Sequence, residues 1–291
     1  MNMRELEIIA DGVRRSIFKG DGSQKTAFLY MDELARAIAG QCEDTDSFIE
    51  NSREALDRIF ENGVSVSAKT ELLTGFCRQA TRHLEKFGRS MRLSDFFEGE
   101  ASLGARIAYV KSAVSDETYR VFSRVIKDAS VTYAGSFAQA CEDVYYGRVA
   151  YCILPYETSD EGVLSGFMKL IRKYELYPHY VCVCGGEKNA TRLALLGRSP
   201  CASDFDGNKN AHLKLTFYRP EPDTLSRISV AGRELSLLLT KSDSFPVSFE
   251  DGLYGLDVTF NGQVDDILSF LLYLVLDAPE CSDKAIFYNI I

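Results

Sequence analysis

Apolar positions recur at helical spacing in four stretches near the N-terminus: Leu6 to Phe18, Ala27 to Ala39, Phe48 to Phe60 and Leu72 to Phe87. This period predicts an all-helical segment over residues 1–100. Asp44 to Asp46 supply N-cap chemistry for the third helix, and Gly63 ends it as a residue free to take positive φ. Gly20, Asp21, Gly22 and Ser23 break the first helix from the second. From Arg106 the period changes. Strands at Ile107 to Val110, Val131 to Tyr133, Val149 to Leu154, Tyr177 to Cys184 and Thr191 to Leu196 alternate with helices at Asp116 to Ile126, Phe137 to Tyr146 and Val163 to Tyr174. Alternation of this kind predicts an α/β lobe over 105–197, with parallel pairing and a sheet covered on both faces.

A polar linker, residues 198–210, follows. Strands are then expected at Leu213 to Tyr218, Leu235 to Thr240, Leu256 to Phe260 and Ala285 to Ile290, with helices at Asp223 to Ala231 and Val264 to Leu276. The order is βαββαβ, which predicts a ferredoxin-like domain over 211–291. The overall expectation is an α/β protein with a helical N-terminal domain.

Composition narrows the partners. The chain has 291 residues, 46% of them hydrophobic and 26% charged, so it can bury a substantial core. Its formal net charge of −9 argues against nucleic acid as the main partner. No basic-then-apolar stretch at the start marks a signal peptide. The most apolar run, Ile267 to Leu276, is too short to span a bilayer. A cytoplasmic protein without a membrane partner is expected. The eight cysteines form no Cys-x-x-Cys pair, and only three histidines are present. Cys182 and Cys184 share one face of a predicted strand. With the other cysteines they read as buried reduced thiols, and neither a metal nor a cofactor is expected. Asp204, Asp206 and Asn208 have the spacing of a calcium loop, but Lys209 and Leu215 stand where that loop needs Gly and Glu, so the stretch reads as linker.

Candidate chemistry gathers where strands end and helices begin, because free backbone N–H groups converge there. In Ser136 to Gly162 a helix beginning at Ser136-Phe137, the Gly147 turn and an apolar strand lead to Pro155, Glu157, Thr158, Ser159 and Gly162. This resembles the prephenate dehydratase family, whose pattern there is Pro, Glu-Asn-Ser or Glu-Asn-Thr, and a Gly, with Thr158 here in the place of Asn. Asn189, Ala190, Thr191, Arg192 and Leu193 resemble the family's Asn-x-Thr-Arg-Phe motif. Leu239 to Pro246 resembles the Leu-Thr-Lys-Ile-Glu-Ser-Arg-Pro run of its ACT regulatory domain, with Asp243 for Glu and Phe245 for Arg. Pro222, Asp223, Thr224 and Leu225 occupy the place of a Pro-Gly-Ala-Leu loop. The motifs fall in the family's order over residues 105–291.

The resemblance implies a catalytic role for Thr191, with Thr158 and Ser159 beside it. A ligand with two carboxylates needs hydrogen-bond donors and cations, which makes Lys111, Ser112, Ser136, Glu157 and Arg192 the candidate ligand contacts, the Arg and Lys pairing with carboxylates. The resemblance implies regulatory contacts from Asp223, Thr224, Leu225, Asp243, Ser244, Phe245 and Pro246, where the family holds phenylalanine at a subunit interface, and a homodimer through the ACT-like domain. Ordinary roles compete with each. Thr158 and Ser159 are good N-caps for a helix from Glu161, and Arg192 and Lys111 are ordinary surface cations.

The departures shape the functional expectation. Val110, Lys111, Ser112, Ala113, Val114 and Ser115 replace the family's Gly-Pro-x-Gly-like first loop. Only Ser159 to Ala190 lies between two segments that in the family flank a second α/β lobe. A degenerate dehydratase-like protein is therefore expected, binding a small carboxylate or an aromatic amino acid in a regulatory role without turnover. An active prephenate dehydratase making phenylpyruvate in phenylalanine biosynthesis, and an interaction protein working through its helical and ACT-like parts, remain as alternatives.

Overall fold

The computed structural model describes residues 3–18, 23–60, 64–97, 105–158, 162–185, 190–199, 210–218, 220–246, 254–277 and 285–290. The fold is mixed α/β and divides into two compact units. A helix-rich unit takes residues 1–96, 206–210 and 214–285, and an α/β unit takes residues 97–205, 211–213 and 286–291.

Four helices open the helix-rich unit: α1 (Met3–Phe18), α2 (Ser23–Ala39), α3 (Thr45–Phe60) and α4 (Val66–Lys86). Asp44 accepts from the Ser47 amide at the start of α3, and Ser65 caps α4 through the Ala68 amide. Their inward faces bury Met31, Leu34, Phe48, Ile59, Leu73 and Phe76. The expected break at residues 20–22 and the Gly63 cap lie outside the described residues.

The α/β unit contains β1 (Arg106–Tyr109), α5 (Ala113–Phe122), β2 (Ser130–Tyr133), α6 (Phe137–Tyr145), β3 (Tyr151–Thr158), β4 (Gly162–Val163), α7 (Ser165–Lys173), β5 (Tyr177–Cys184) and β6 (Thr191–Gly197). The chain continues with β7 (Asn210–Tyr218), α8 (Thr224–Glu234), β8 (Leu238–Pro246), β9 (Tyr254–Gln263), α9 (Val264–Asp277) and β10 (Ala285–Ile290). In the α/β unit the strand order is β2-β1-β3-β6-β5-β10. β1 runs parallel to β2 and β3, and β10 parallel to β5. β6 is antiparallel to both β3 and β5.

The expectation of an all-parallel sheet is thus corrected to a mixed one. The cause is connection length. A parallel crossover needs a dozen or more residues, and the link from Cys184 to Thr191 is too short for that, so β6 must turn back along β5. Helices do lie on both faces. Ala140, Cys141 and Val144 of α6 and Ile171 of α7 pack with Ala108, Cys152, Leu154, Ala194 and Leu196. On the other face Phe122 of α5 packs with Ile107, Ile153, Leu193 and Leu195.

In the helix-rich unit β7, β9 and β8 are neighbours in that order. α4 packs on both α8 and α9, and α3 on α9. Polar ties reinforce the burial. Arg53 donates to the Val275 carbonyl at 3.2 Å, and the Thr81 and Ser269 hydroxyls meet at 3.2 Å. The Lys69 ammonium lies 2.7 Å from Asp277 Oδ1, an ionic contact not aligned as a hydrogen bond. Tyr273 donates to the other oxygen of Asp277 at 2.7 Å. Among the described residues no helix is long and apolar enough to cross a membrane.

Candidate functional site

β1 and β3 are parallel neighbours whose following connections run to opposite sides, β1 to β2 and β3 toward β6 and β5. Such a switch point leaves a crevice at the C-terminal ends of the strands. Two similar turns line that edge. Tyr109 ends β1 and Ser112 caps α5, its hydroxyl accepting from the Ser115 amide and lying 2.9 Å from the Ser115 hydroxyl. Tyr133 ends β2 and Ser136 caps α6, accepting from the Gln139 amide at 3.1 Å. Serine suits both places because its oxygen satisfies an amide that the helix leaves unpaired. The Lys111 ammonium sits 5.0 Å above the Tyr133 ring. Tyr109 packs edge-on against the same ring and donates to Asp116 at 2.8 Å. Burial, and then that bond to a carboxylate, push the Tyr109 phenol well above its usual pKa.

Thr191 opens β6 at the same edge. It lies opposite Thr158 of β3 and opposite Cys184 of β5. Residues directly opposite across a sheet share a face, so the three form one row on the side of α5. Thr118 of α5 is fully buried there, its hydroxyl 3.2 Å from the Cys184 sulfur. Cys182 sits one pleat away with its sulfur 3.6 Å from that of Cys184, and burial pushes its thiol up to about 12.

Arg192 projects from the opposite face, because successive strand side chains alternate. Its guanidinium donates to Glu157 at 2.8 Å. Its charge also acts on two aromatic groups brought in by the C-terminal strands. His212 stacks on Tyr288 with ring centroids 5.2 Å apart. Burial first, and Arg192 second, lower the His212 pKa. Burial raises that of Tyr288, with Tyr156 and Glu157 adding to it.

Thr191 and Thr158 therefore lie side by side, while Arg192 and Glu157 pair with each other on the other face. Ser112, Ser136 and Lys111 sit at the ends of β1 and β2. Ser159 and Asn189 lie outside the described residues. The expected capping role of Thr158 is corrected: it is the last residue of β3, and α7 begins only at Ser165, after Leu164, without a side-chain cap. Sequence reasoning missed Thr118, Tyr156, His212 and Tyr288 as neighbours of these residues. The shared face of Cys182 and Cys184 was the only signal pointing toward Thr118.

The candidate regulatory residues belong to the helix-rich unit. Asp223 precedes α8, Thr224 is buried at its start, and Leu225 follows, half-buried. Asp243, Ser244, Phe245 and Pro246 form the end of β8, with Asp243 opposite Asp257 of β9. Asp257 is held by Lys214 at 2.7 Å and by the Thr216 hydroxyl at 2.7 Å. The Phe245 ring lies over Gly255, where a Cβ would come within 2.2 Å of it, and meets Tyr218 edge-on. Among the described residues no group of three or more side chains is placed to hold a metal ion. Asp204, Asp206 and Asn208 lie outside the described residues.

No protein-family model matches the chain, and no curated protein matches it. Solved structures do. Prephenate dehydratase from Streptococcus mutans is 19% identical with a TM-score of 0.49, over 64% of this chain and 99% of its own. Prephenate dehydratase from Arthrobacter aurescens in complex with L-Phe is 13% identical with a TM-score of 0.46, over 63% and 90%. GqqA, described as a novel type of quorum quenching acylase, is 16% identical with a TM-score of 0.44, over 63% and 94%. Likenesses of this degree assign neither substrate nor activity.

Proposed function

We propose that the chain is a dehydratase-like binding protein. It holds a small carboxylate or an aromatic amino acid at the strand-end edge of its α/β unit, in a regulatory role and without turnover. The supporting observation is what fills the interval between Thr158 and Thr191. β4 pairs with β3, α7 packs on β3, and β5 pairs with β6. Every described element of the interval lies on the sheet that carries Thr191, so the described residues of this stretch contribute no opposing wall.

Loss of carbon dioxide and hydroxyl from prephenate demands donors for two carboxylates, an acid at the leaving oxygen and exclusion of water. At an open edge solvent screens those interactions. Binding demands less. The Thr158 and Thr191 hydroxyls, the start of α5 and Lys111 suit one carboxylate, and the motif resemblance supplies the ligand class. The βαββαβ segment is read as an ACT-like module through which a cytoplasmic homodimer forms.

Phenylalanine, tyrosine, tryptophan and prephenate are each added to the full chain in a thermal-shift titration, beside an assay for phenylpyruvate. A ligand of the native state raises the melting temperature as it saturates. The expected result is a saturable shift with at least one of the four and no phenylpyruvate. Phenylpyruvate formation that collapses in Thr191→Ala establishes an active dehydratase instead. No shift with any of the four removes the binding assignment.

A further inference from the structure

Cys182 and Cys184 alternate with Val183 along β5, so both thiols point to the α5 side of the sheet. Their sulfurs lie 3.6 Å apart and are not bridged. Cys182 is the deeper of the two, 3% exposed against 7%. Cys184 is the last residue of β5, and Gly185 turns the chain there with a φ of +99°. The Cys184 sulfur meets the buried Thr118 hydroxyl at 3.2 Å. The pair adjoins the candidate site, because Cys184 lies opposite Thr191 and Thr191 opposite Thr158.

The two sulfurs need move little to bond, but the backbone that carries them does not suit the product. Residues two apart in an extended strand are separated by roughly 6.6 Å between Cα atoms. Bridged cysteines usually stand about 5.5–6 Å apart. A disulfide between Cys182 and Cys184 therefore shortens the end of β5. That movement pulls Cys184 out of register with Thr191 and withdraws its sulfur from Thr118. A bridge held at the long end of its range is also strained and readily reduced. Both properties belong to a reversible device and not to a permanent staple.

We infer that Cys182 and Cys184 are an oxidation site, a peroxide-sensitive dithiol whose reversible disulfide disrupts the Thr158–Thr191 row and so regulates ligand binding there. The regulatory part rests on the binding reading above; the oxidation does not. Cys184 reacts first, because it ends the strand and because burial keeps Cys182 protonated, its thiol pushed up to about 12. The Cys184 sulfur attacks one oxygen of hydrogen peroxide and the O–O bond breaks. A sulfenic acid forms, and the other oxygen leaves as water with the thiol proton. The Cys182 sulfur then attacks Cys184, the S–O bond breaks, and the departing hydroxyl takes the Cys182 proton as a second water. Two thiols lose two electrons in all, and one peroxide becomes two waters. Two molecules of a small thiol such as glutathione reverse the bond and become a disulfide themselves. Cys141 and Cys152, fully buried on the opposite face of the sheet, serve as an internal control.

The full chain is treated with hydrogen peroxide, alkylated and digested for peptide mass spectrometry. The peptide carrying residues 182–184 is expected to lose two hydrogens and take no label, and to recover two labelled cysteines after glutathione. Amide exchange at Cys184 and Thr191 is expected to quicken by at least about tenfold in the oxidised chain, with the β1–β2 pair unchanged. Cys182→Ser and Cys184→Ser each remove both effects. Two labelled cysteines after peroxide, a bridge that glutathione leaves intact, or a link between Cys141 and Cys152 in its place overturns the oxidation site. A bridge without faster exchange at Thr191 overturns its connection to the row. Phenylalanine and prephenate are then titrated into the reduced and the oxidised chain. A thermal shift seen only in the reduced chain is expected, and an equal shift in both overturns the regulation. No shift in the reduced chain overturns the binding reading and the regulation with it, while the peptide map still decides the oxidation site.

Discussion

Thr191 and Arg192 are consecutive in β6 and serve opposite faces of the sheet. Thr191 joins Thr158 and Cys184 in a row on the side of α5, whereas Arg192 donates to Glu157 at 2.8 Å on the other side. A ligand seated on the Thr191 row is therefore out of line with the Arg192 fork. Thr191→Val keeps the shape and removes the hydroxyl, so it abolishes most of the thermal shift that phenylalanine or prephenate produces. Arg192→Ala leaves that shift largely intact. Equal loss in both variants would show that the ligand wraps the strand end and contacts both faces.

Ser112 and Ser136 close equivalent turns, each hydroxyl accepting an amide in the first turn of its helix. Replacing either by Ala leaves that amide without its cap and costs about 1 kcal/mol. Urea unfolding of the two single variants and the double variant checks this. The two losses add, because the caps belong to helices on opposite faces and share no partner.

Much of the fold was legible in the residues, and what was not has physical causes. The helical and strand periods placed α1 through α9 because each element has one face to bury and repeats apolar residues to match. Strand direction was not legible. It is set by connection length and by which neighbour a strand finds, so β6 emerged antiparallel between β3 and β5. The continuation of β3 past Pro155 was hidden too. Proline reads as a strand breaker, but an irregularity between Pro155 and Glu157 absorbs it and lets Thr158 reach Thr191. Within the site, Thr191 was found through its motif. The grouping of Tyr156, His212 and Tyr288 near Arg192 had no local signal, since more than a hundred residues of chain lie between its first and last members.

Asp277 is the buried anchor between the N-terminal helices and the βαββαβ segment. Its side chain is 2% exposed, with the Lys69 ammonium at 2.7 Å and Arg227 Nε at 3.9 Å. Asp277→Asn removes the anion and strands Arg227, whose Nε already lacks a hydrogen-bond partner. Breaking one side of a buried pair costs roughly 3 kcal/mol. Lys69 is 39% exposed and recovers solvent, so roughly 2 kcal/mol is expected here. Lys69→Met costs less than Asp277→Asn when both are followed by guanidinium unfolding, because Arg227 still neutralises the carboxylate. The reverse order would remove Asp277 as the anchor.

His179 makes folding pH-dependent. It sits in β5, 3% exposed, with Nε2 donating to the Ser199 carbonyl at 2.8 Å and Nδ1 buried without a partner. Burial lowers its pKa to about 4, against an ordinary value of 6.5. The unfolded chain therefore binds a proton that the folded chain refuses between those two values. The stabilisation from the neutral ring is fully present above pH 6.5 and is lost as the pH falls through 4. Its size is on the order of 3 kcal/mol. In His179→Gln the side-chain amide replaces the donor to Ser199 and nothing titrates. Thermal unfolding of the wild type at pH 7 and pH 5 gives a drop of several degrees, and the variant gives a visibly smaller one. An equal drop in both proteins would assign the acid sensitivity to the carboxylates instead.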